Sequence, residues 1–300
     1  MFVRFTAYAF VSAIAVSTVA KADFLPPNDL AKEDGLLRDA NLTEAEFNRI
    51  IDVAETVIGS KIADHFQAQL KVNRLWTDTT VNASAIQFGT RWEVNMYGGL
   101  ARRPEITQDG FALVLCHEIG HHLGGYPFRS DWAANEGESD YFASHACPRM
   151  IWKDDLAVNA TFRDTVEAAP KALCDQVWTT VEDQNLCYRV MTGAKSTADM
   201  ASVLGNSKAS WATPDKKVVN RTDNNHPAGQ CRLDTYAAGA LCTKTFDEAV
   251  IPGKDLGWSR NGKDGERAAT QYSCTQFENF QLGFRPLCWF KPALKAGDTL

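Results

Sequence analysis

Apolar and polar positions divide this chain into stretches of different period. Across residues 28–75, apolar side chains recur at helical spacing, and Asn41-Leu42-Thr43-Glu44-Ala45-Glu46 carries a capping box from Thr43 to Glu46. That stretch is expected to be helical. From Val81 to Tyr97 the period changes, because Val, Ile, Phe and Trp interleave with polar residues, which predicts two short strands with a turn near Gly89. Phe111-Ala112-Leu113-Val114-Leu115-Cys116 is almost wholly apolar, the pattern of a helix buried on most faces. Thr107 or Asp109 can cap its start, and Gly124-Gly125 with Pro127 ends it. Residues 131–143 read as a second, acidic helix and 160–205 as further helices. From about 205 to 232 the chain is rich in Asn, Asp, Lys and Ser and reads as a long loop. Residues 240–300 set Trp258, Phe277, Phe280, Phe284, Trp289 and Phe290 among Gly, Pro and Cys, which suggests a disulfide-stapled extension. The expected class is α+β, mostly helical, with a small sheet.

The buried helix carries an anomaly. Directly after its apolar run comes His117-Glu118-Ile119-Gly120-His121. Residues four apart share one helical face, so His117 and His121 can present imidazole nitrogens to one metal ion. Glu118 sits one residue round, beside such an ion, where it can take a proton from an attacking water. Two imidazoles and a carboxylate left unpartnered inside an apolar helix would cost several kcal/mol, on the order of 1–3 for each polar group. One Zn2+ per chain would supply the missing partner.

A catalytic zinc keeps three protein ligands and one open position. One common third ligand is a His six residues beyond the second, after a Gly; here Gly124 is present but the His position is Pro127, which cannot bind metal. The other common solution is a carboxylate from a second helix. Glu136 and Asp140 are four apart on one face, so Glu136 can reach the metal while Asp140 fixes a ligand His from behind. Glu138 points about 200° away from Glu136 and is expected to be a solvated charge. His122 points about 100° away from His121 and is not expected to be a ligand. His145 is expected behind the site or at the surface, and His65 carries no partner motif.

With these residues in place, the sequence resembles the HtpX-like and CAAX-prenyl-endopeptidase (Oma-type) zinc metallopeptidases. That family pairs H-E-x-x-H with a downstream E-x-x-[AS]-D, matched by Glu136-Gly137-Glu138-Ser139-Asp140. Upstream, Asn82-Ala83-Ser84-Ala85, Gly89 and Trp92 through Leu100 resemble its N-A-x-A…G…V-x-x-G-L hairpin. Downstream, His226-Pro227 with Arg232-Leu233 is similar to its H-P-x-x-x-x-R-[IL] element. The resemblance spans about 82 to 233 and implies a zincin-like (gluzincin) fold whose sheet edges the active-site cleft. It implies a substrate-binding strand at Asn82, Ala83, Ser84 and Ala85, since an exposed strand edge binds an extended peptide by adding it as another strand. It also places His226 where it can donate to the oxyanion formed on a peptide carbonyl. Membrane-embedded members of the family carry several spanning helices; residues 23–300 here carry none by sequence.

Residues 1–22 read as a secretory signal peptide, with Arg4 as its positive region, a largely apolar run from Ala7 to Val19 and Ala20-Lys21-Ala22 as the cleavage site. Residue 23 is Asp, not Cys, which argues against a lipoprotein anchor. Without Arg4 and Lys21 the chain has 29 basic and 37 acidic residues, a net charge of −8 against −6 for the whole sequence. Nucleic acid and anionic membranes are poor partners for such a chain. Eight cysteines in an exported protein, with no C-x-x-C, point to disulfides and to a periplasmic or secreted location. Sequence proximity favours Cys174–Cys187, Cys231–Cys242 and Cys274–Cys288, leaving Cys116 and Cys147 to bridge the two ligand helices. The expected organisation is a signal peptide over 1–22, a metallopeptidase domain over 23–235 and a cysteine-containing extension over 236–300.

The leading expectation is therefore an exported zinc endopeptidase acting on peptides or unfolded proteins. The competing one is a catalytically weak protein that uses the same scaffold as a peptide-binding module. An intact Glu118 favours the first, because a purely structural site needs no general base. A zinc hydrolase acting on a non-peptide bond is a third possibility, and the strand edge at 82–97 weighs against it.

Overall fold

The computed structural model describes residues 21–31, 41–205, 208–278, 280–295 and 297–300, so residues 1–20 of the expected leader lie outside the described residues. Strand β1 (Lys21–Asp23) precedes helix α1 (Glu44–Phe66) and strands β2 (Gln69–Leu75), β3 (Ala83–Phe88) and β4 (Arg91–Tyr97). Ten α-helices are described: after α1 come α2 (Gly98–Ala101), α3 (Gln108–Leu123), α4 (Glu136–His145), α5 (Cys147–Ile151) and α6 (Leu156–Thr161). The chain continues with α7 (Ala168–Val177), α8 (Val181–Ser202), α9 (Gly229–Leu241) and α10 (Lys263–Thr270). The α+β class is as expected, with helices predominating around one four-stranded sheet. Among the described residues, no helix is long and apolar enough to cross a membrane.

Thr43 and Glu46 form the anticipated capping box at the start of α1, the Glu46 carboxylate accepting from the Thr43 amide at 2.8 Å. The helix does not continue to residue 75. Gln67 takes a left-handed conformation (φ 52°) that turns the chain, and Gln69–Leu75 then alternates Leu70 and Val72 into the core with polar residues outward, as a strand must. The hairpin at Gly89 is as predicted. Its two strands pair antiparallel from Ala83↔Met96 to Phe88↔Arg91, and Gly89 supplies the positive φ of 58° that the turn requires. β2 lies parallel to β4, giving the order β1-β3-β4-β2.

Helix α3 runs through the middle of the molecule, capped by Thr107, whose hydroxyl accepts from the Gly110 amide. Its residues from Gly110 to Leu123 are all buried. Helix α4 crosses it closely, at a point where a Cβ on Gly120 would lie 3.0 Å from the Ser139 carbonyl oxygen. The acidic helix begins at Glu136 rather than at 131, because Asn135 caps it by accepting from the Glu138 amide at 2.9 Å. Glu136 thereby occupies the first turn, where the helix dipole favours an anion.

Four disulfides staple this arrangement. Cys116–Cys147 and Cys174–Cys187 form as expected, the first tying α3 to the chain just past α4. The other two pairings differ: Cys231 joins Cys288 and Cys242 joins Cys274. Sequence proximity misled because Cys231 lies near the start of α9 and Cys242 just past its end. A helix separates eleven residues by about 16 Å, more than twice the reach of a disulfide. Each end of α9 is instead bonded to the C-terminal segment. The expected boundary at 235 falls inside α9, and Ile251, Ala269, Trp289 and Phe290 pack into the same core as α3. The tail also corrects the reading of Glu138, which is buried and held by Arg285, whose Nη2 donates to its Oε1 at 3.1 Å. Next to it, Trp289 lies so close over Gly137 that a Cβ there would meet the indole ring at 2.2 Å. The tail thus covers the face of α4 turned away from Glu136.

Candidate metal centre

Helices α3 and α4 bring His117, His121 and Glu136 together, each fully buried, with one ligand-capable atom of each inside a 4.8 Å cluster. The Glu136 Oε2 atom lies 3.3 Å from His117 Nε2 and 3.8 Å from His121 Nε2. What surrounds the imidazoles fixes which nitrogen faces the cluster. His117 Nδ1 is 2.7 Å from the Asp140 carboxylate, and His121 Nδ1 is 2.9 Å from the Ala134 carbonyl oxygen. A carbonyl oxygen only accepts, as does an ionised carboxylate, so both Nδ1 atoms carry a proton and both Nε2 atoms face the cluster. Ser139 Oγ adds a second contact to His121 Nδ1 at 2.9 Å. His122 lies outside this cluster; it stacks between Trp92 and Trp132 at 5.2 and 4.9 Å and joins α3 to the hairpin.

Among the described residues, five buried polar side-chain atoms without a hydrogen-bond partner gather at this one place. His117 Nε2, His121 Nε2, Glu136 Oε2 and both carboxylate oxygens of Glu118 are buried and make no hydrogen bond. Buried polar groups are seldom left unsatisfied, and five in one cluster is a large deficit. A divalent cation among two imidazole nitrogens and one carboxylate oxygen meets three of them at once. This donor set, two imidazole nitrogens and one carboxylate oxygen, is of a kind that would hold Zn2+.

The supporting residues include several that the sequence reading did not assign. Arg232 on α9 makes a two-pronged bond to Asp140, Nε to Oδ2 at 2.9 Å and Nη2 to Oδ1 at 2.6 Å, and donates from Nη1 to the Phe24 carbonyl oxygen at 2.6 Å. The chain Arg232–Asp140–His117 therefore locks the first imidazole in place. Its only sequence signal was the position of Arg232 after His226-Pro227. Arg129, from the loop before α4, bonds the outer oxygen of Glu136 and aims the inner one at the imidazoles. His145, expected behind the site or at the surface, is buried and bonded to the Lys244 carbonyl oxygen, far from the cluster's donor atoms.

The electrostatics follow from these contacts. Burial lowers His121, which has no carboxylate behind it, to about 3. For His117 the same burial is outweighed by the Asp140 carboxylate, which raises it to about 9. Asp140 is held below its usual range, its own burial being outweighed by Arg232 and His117. Glu136 is also lowered against its burial, by His121 and His117. Glu118 goes the other way: burial pushes it well above the ordinary carboxylate range, because the nearby His117 charge only partly compensates.

His226 reaches this centre from the loop before α9, with its Nε2 3.6 Å from Glu136 Oε2 and donating to the Asp23 carbonyl oxygen at 2.7 Å. It is partly exposed and is not a free surface residue. Asn82, Ala83, Ser84 and Ala85 line the β3 side of the hairpin, next to α3. Asn82 bonds to Leu25 in both directions, and β3 is paired along this edge with the chain's own β1. No protein-family model, curated protein or solved structure matches the chain.

Proposed function

We propose that this protein is an exported, zinc-dependent endopeptidase. The observation that carries the proposal is the group of five unpartnered buried atoms on His117, Glu118, His121 and Glu136. Zinc held by His117, His121 and Glu136 would act as a Lewis acid and lower the pKa of a water molecule towards neutrality. Glu118, beside the ligands but bonded to nothing, accepts a proton from the attacking water and delivers it to the leaving amine. His226 already donates to a peptide carbonyl oxygen, that of Asp23, and in the reaction its N–H faces the oxyanion. The edge of β3 holds the substrate backbone in extended form, which recognises main chain more than side chains and suits an unfolded substrate. Export is supported by the four disulfides, which persist in oxidising compartments.

The reading is tested by incubating the purified, disulfide-bonded protein with an unfolded substrate such as casein. Internal cleavage that stops with a zinc chelator and returns with added zinc is the expected result; intact casein after prolonged incubation with zinc-loaded protein, its N-terminus confirmed at Asp23, would sink it. His226→Ala is expected to lower kcat by a factor equivalent to about 2–4 kcal/mol with zinc occupancy and KM nearly unchanged. Unaltered kcat in that variant would remove His226 from the chemistry.

A further inference from the structure

The edge that would take a peptide is occupied. β1 lies antiparallel on β3 with Lys21↔Ile86, Ala22↔Ala85 and Asp23↔Ser84 in register. The pairing continues into Phe24, whose amide donates to the Ala83 carbonyl oxygen at 3.0 Å. Because antiparallel partners alternate between bonded and non-bonded pairs, Phe24↔Ala83 makes Ala22↔Ala85 the next pair to exchange hydrogen bonds. The segment also bears on the metal centre. The Asp23 carbonyl oxygen takes the His226 N–H, the Phe24 carbonyl oxygen takes an Arg232 N–H at 2.6 Å, and the Phe24 ring stands edge-on to His117 at 5.4 Å. Beneath this cover the metal-facing atoms of His117, His121 and Glu136 and the carboxylate of Glu118 have no measurable contact with solvent.

We propose that Lys21–Asp23 is an internal occupant of the peptide-binding edge of β3, and that cutting the chain between Ala22 and Asp23 frees that edge. The two halves of the segment are held very differently. Phe24 and Leu25 are buried, with Phe24 under the Arg232 guanidinium at 4.1 Å and Leu25 bonded to Asn82 through both its amide and its carbonyl. Lys21 and Ala22 are held by strand pairing alone, with Ala22 buried in it and the Lys21 side chain about half exposed and ion-paired to Asp23. A leader peptidase acting at the Ala-x-Ala sequence breaks the C–N bond between Ala22 and Asp23; water supplies the hydroxyl to the Ala22 carbonyl carbon and a hydrogen to the Asp23 nitrogen. Lys21 and Ala22 then depart with the leader, while Phe24 and Leu25 stay seated. Ala85 loses its strand partner and becomes a free donor and acceptor beside the metal centre.

This inference rests on the reading of β3 as the peptide edge, and binding separates it from catalysis. Two zinc-loaded proteins carrying Glu118→Gln are exported behind a foreign leader cut before Lys21 or before Asp23, and each is titrated with a short labelled unstructured peptide. The shorter chain is expected to bind about tenfold or more tightly, since a tethered occupant competes at about millimolar effective concentration. Its Ala85 amide is expected to exchange hydrogen faster than in the longer chain. Equal affinity in the two proteins, or binding to neither, overturns the proposal. Tighter binding by the shorter chain, with no cleavage by its Glu118-intact counterpart, leaves the occupant established and discards the peptidase reading instead.

Discussion

Glu118→Gln is expected to retain zinc and the fold while lowering turnover by about 10²–10⁴-fold, because the amide cannot accept a proton from water. The substitution is unusually clean at this position. Both carboxylate oxygens of Glu118 lack hydrogen-bond partners in the protein, so the amide breaks no native bond when it takes their place. It also removes the cost of a carboxyl group that burial already pushes well above its ordinary range. The variant is therefore expected to be at least as stable as the parent. Thermal unfolding, zinc analysis and casein cleavage on the same preparation check all three statements. Cleavage at the parent rate would remove Glu118 as the general base and direct attention to another proton acceptor.

The second large effect is on the metal itself. His117→Ala, His121→Ala and Glu136→Ala are each expected to lose zinc and activity together, since each removes one of the three proposed ligands. Glu136→Ala has a second consequence, because it leaves the Arg129 guanidinium facing two imidazoles without its carboxylate. Metal loss there is expected to be at least as complete as in the His variants. Zinc content by elemental analysis is the readout. Full occupancy in Glu136→Ala would move the third ligand elsewhere, and His226, 3.6 Å from Glu136 Oε2, is the nearest replacement. Glu138 is not available for that role, because it is bonded to Arg285 on the other face of α4.

What could be read from the sequence divides along the range of the interactions involved. The Thr43–Glu46 capping box, the hairpin at Gly89 and the spacing of His117, Glu118 and His121 are local, set by residues within one turn of helix or strand. Glu136 and Asp140 were legible for the same reason, four residues apart on one helical face. The misreadings concern long-range partners. Residues 69–75 alternate as a strand only because β4 lies beside them to pair with. Glu138 was expected in water, and nothing within its own helix shows that Arg285, 147 residues later, covers it. The pairings of Cys231 and Cys242 depended on recognising that a continuous helix holds them apart. Arg232 carried a faint signal, but its bond to Asp140 joins residues 92 apart. The seating of Lys21–Asp23 on β3 had no signal at all, because Lys21 and Ala22 read as the end of a leader and Asp23 as the residue after its cut.

The central claim is that one zinc ion per chain, held by His117, His121 and Glu136, is what makes the protein cleave peptides. Its most direct test is to strip the purified protein, with its N-terminus confirmed at Asp23, with a chelator and add zinc in measured steps. Bound metal and the rate of casein cleavage are then followed together. The account predicts no cleavage by the stripped protein and a rate that rises in proportion to bound zinc and levels off at about one equivalent per chain. Substantial cleavage before any zinc is added, or saturation with zinc that brings none, would contradict it.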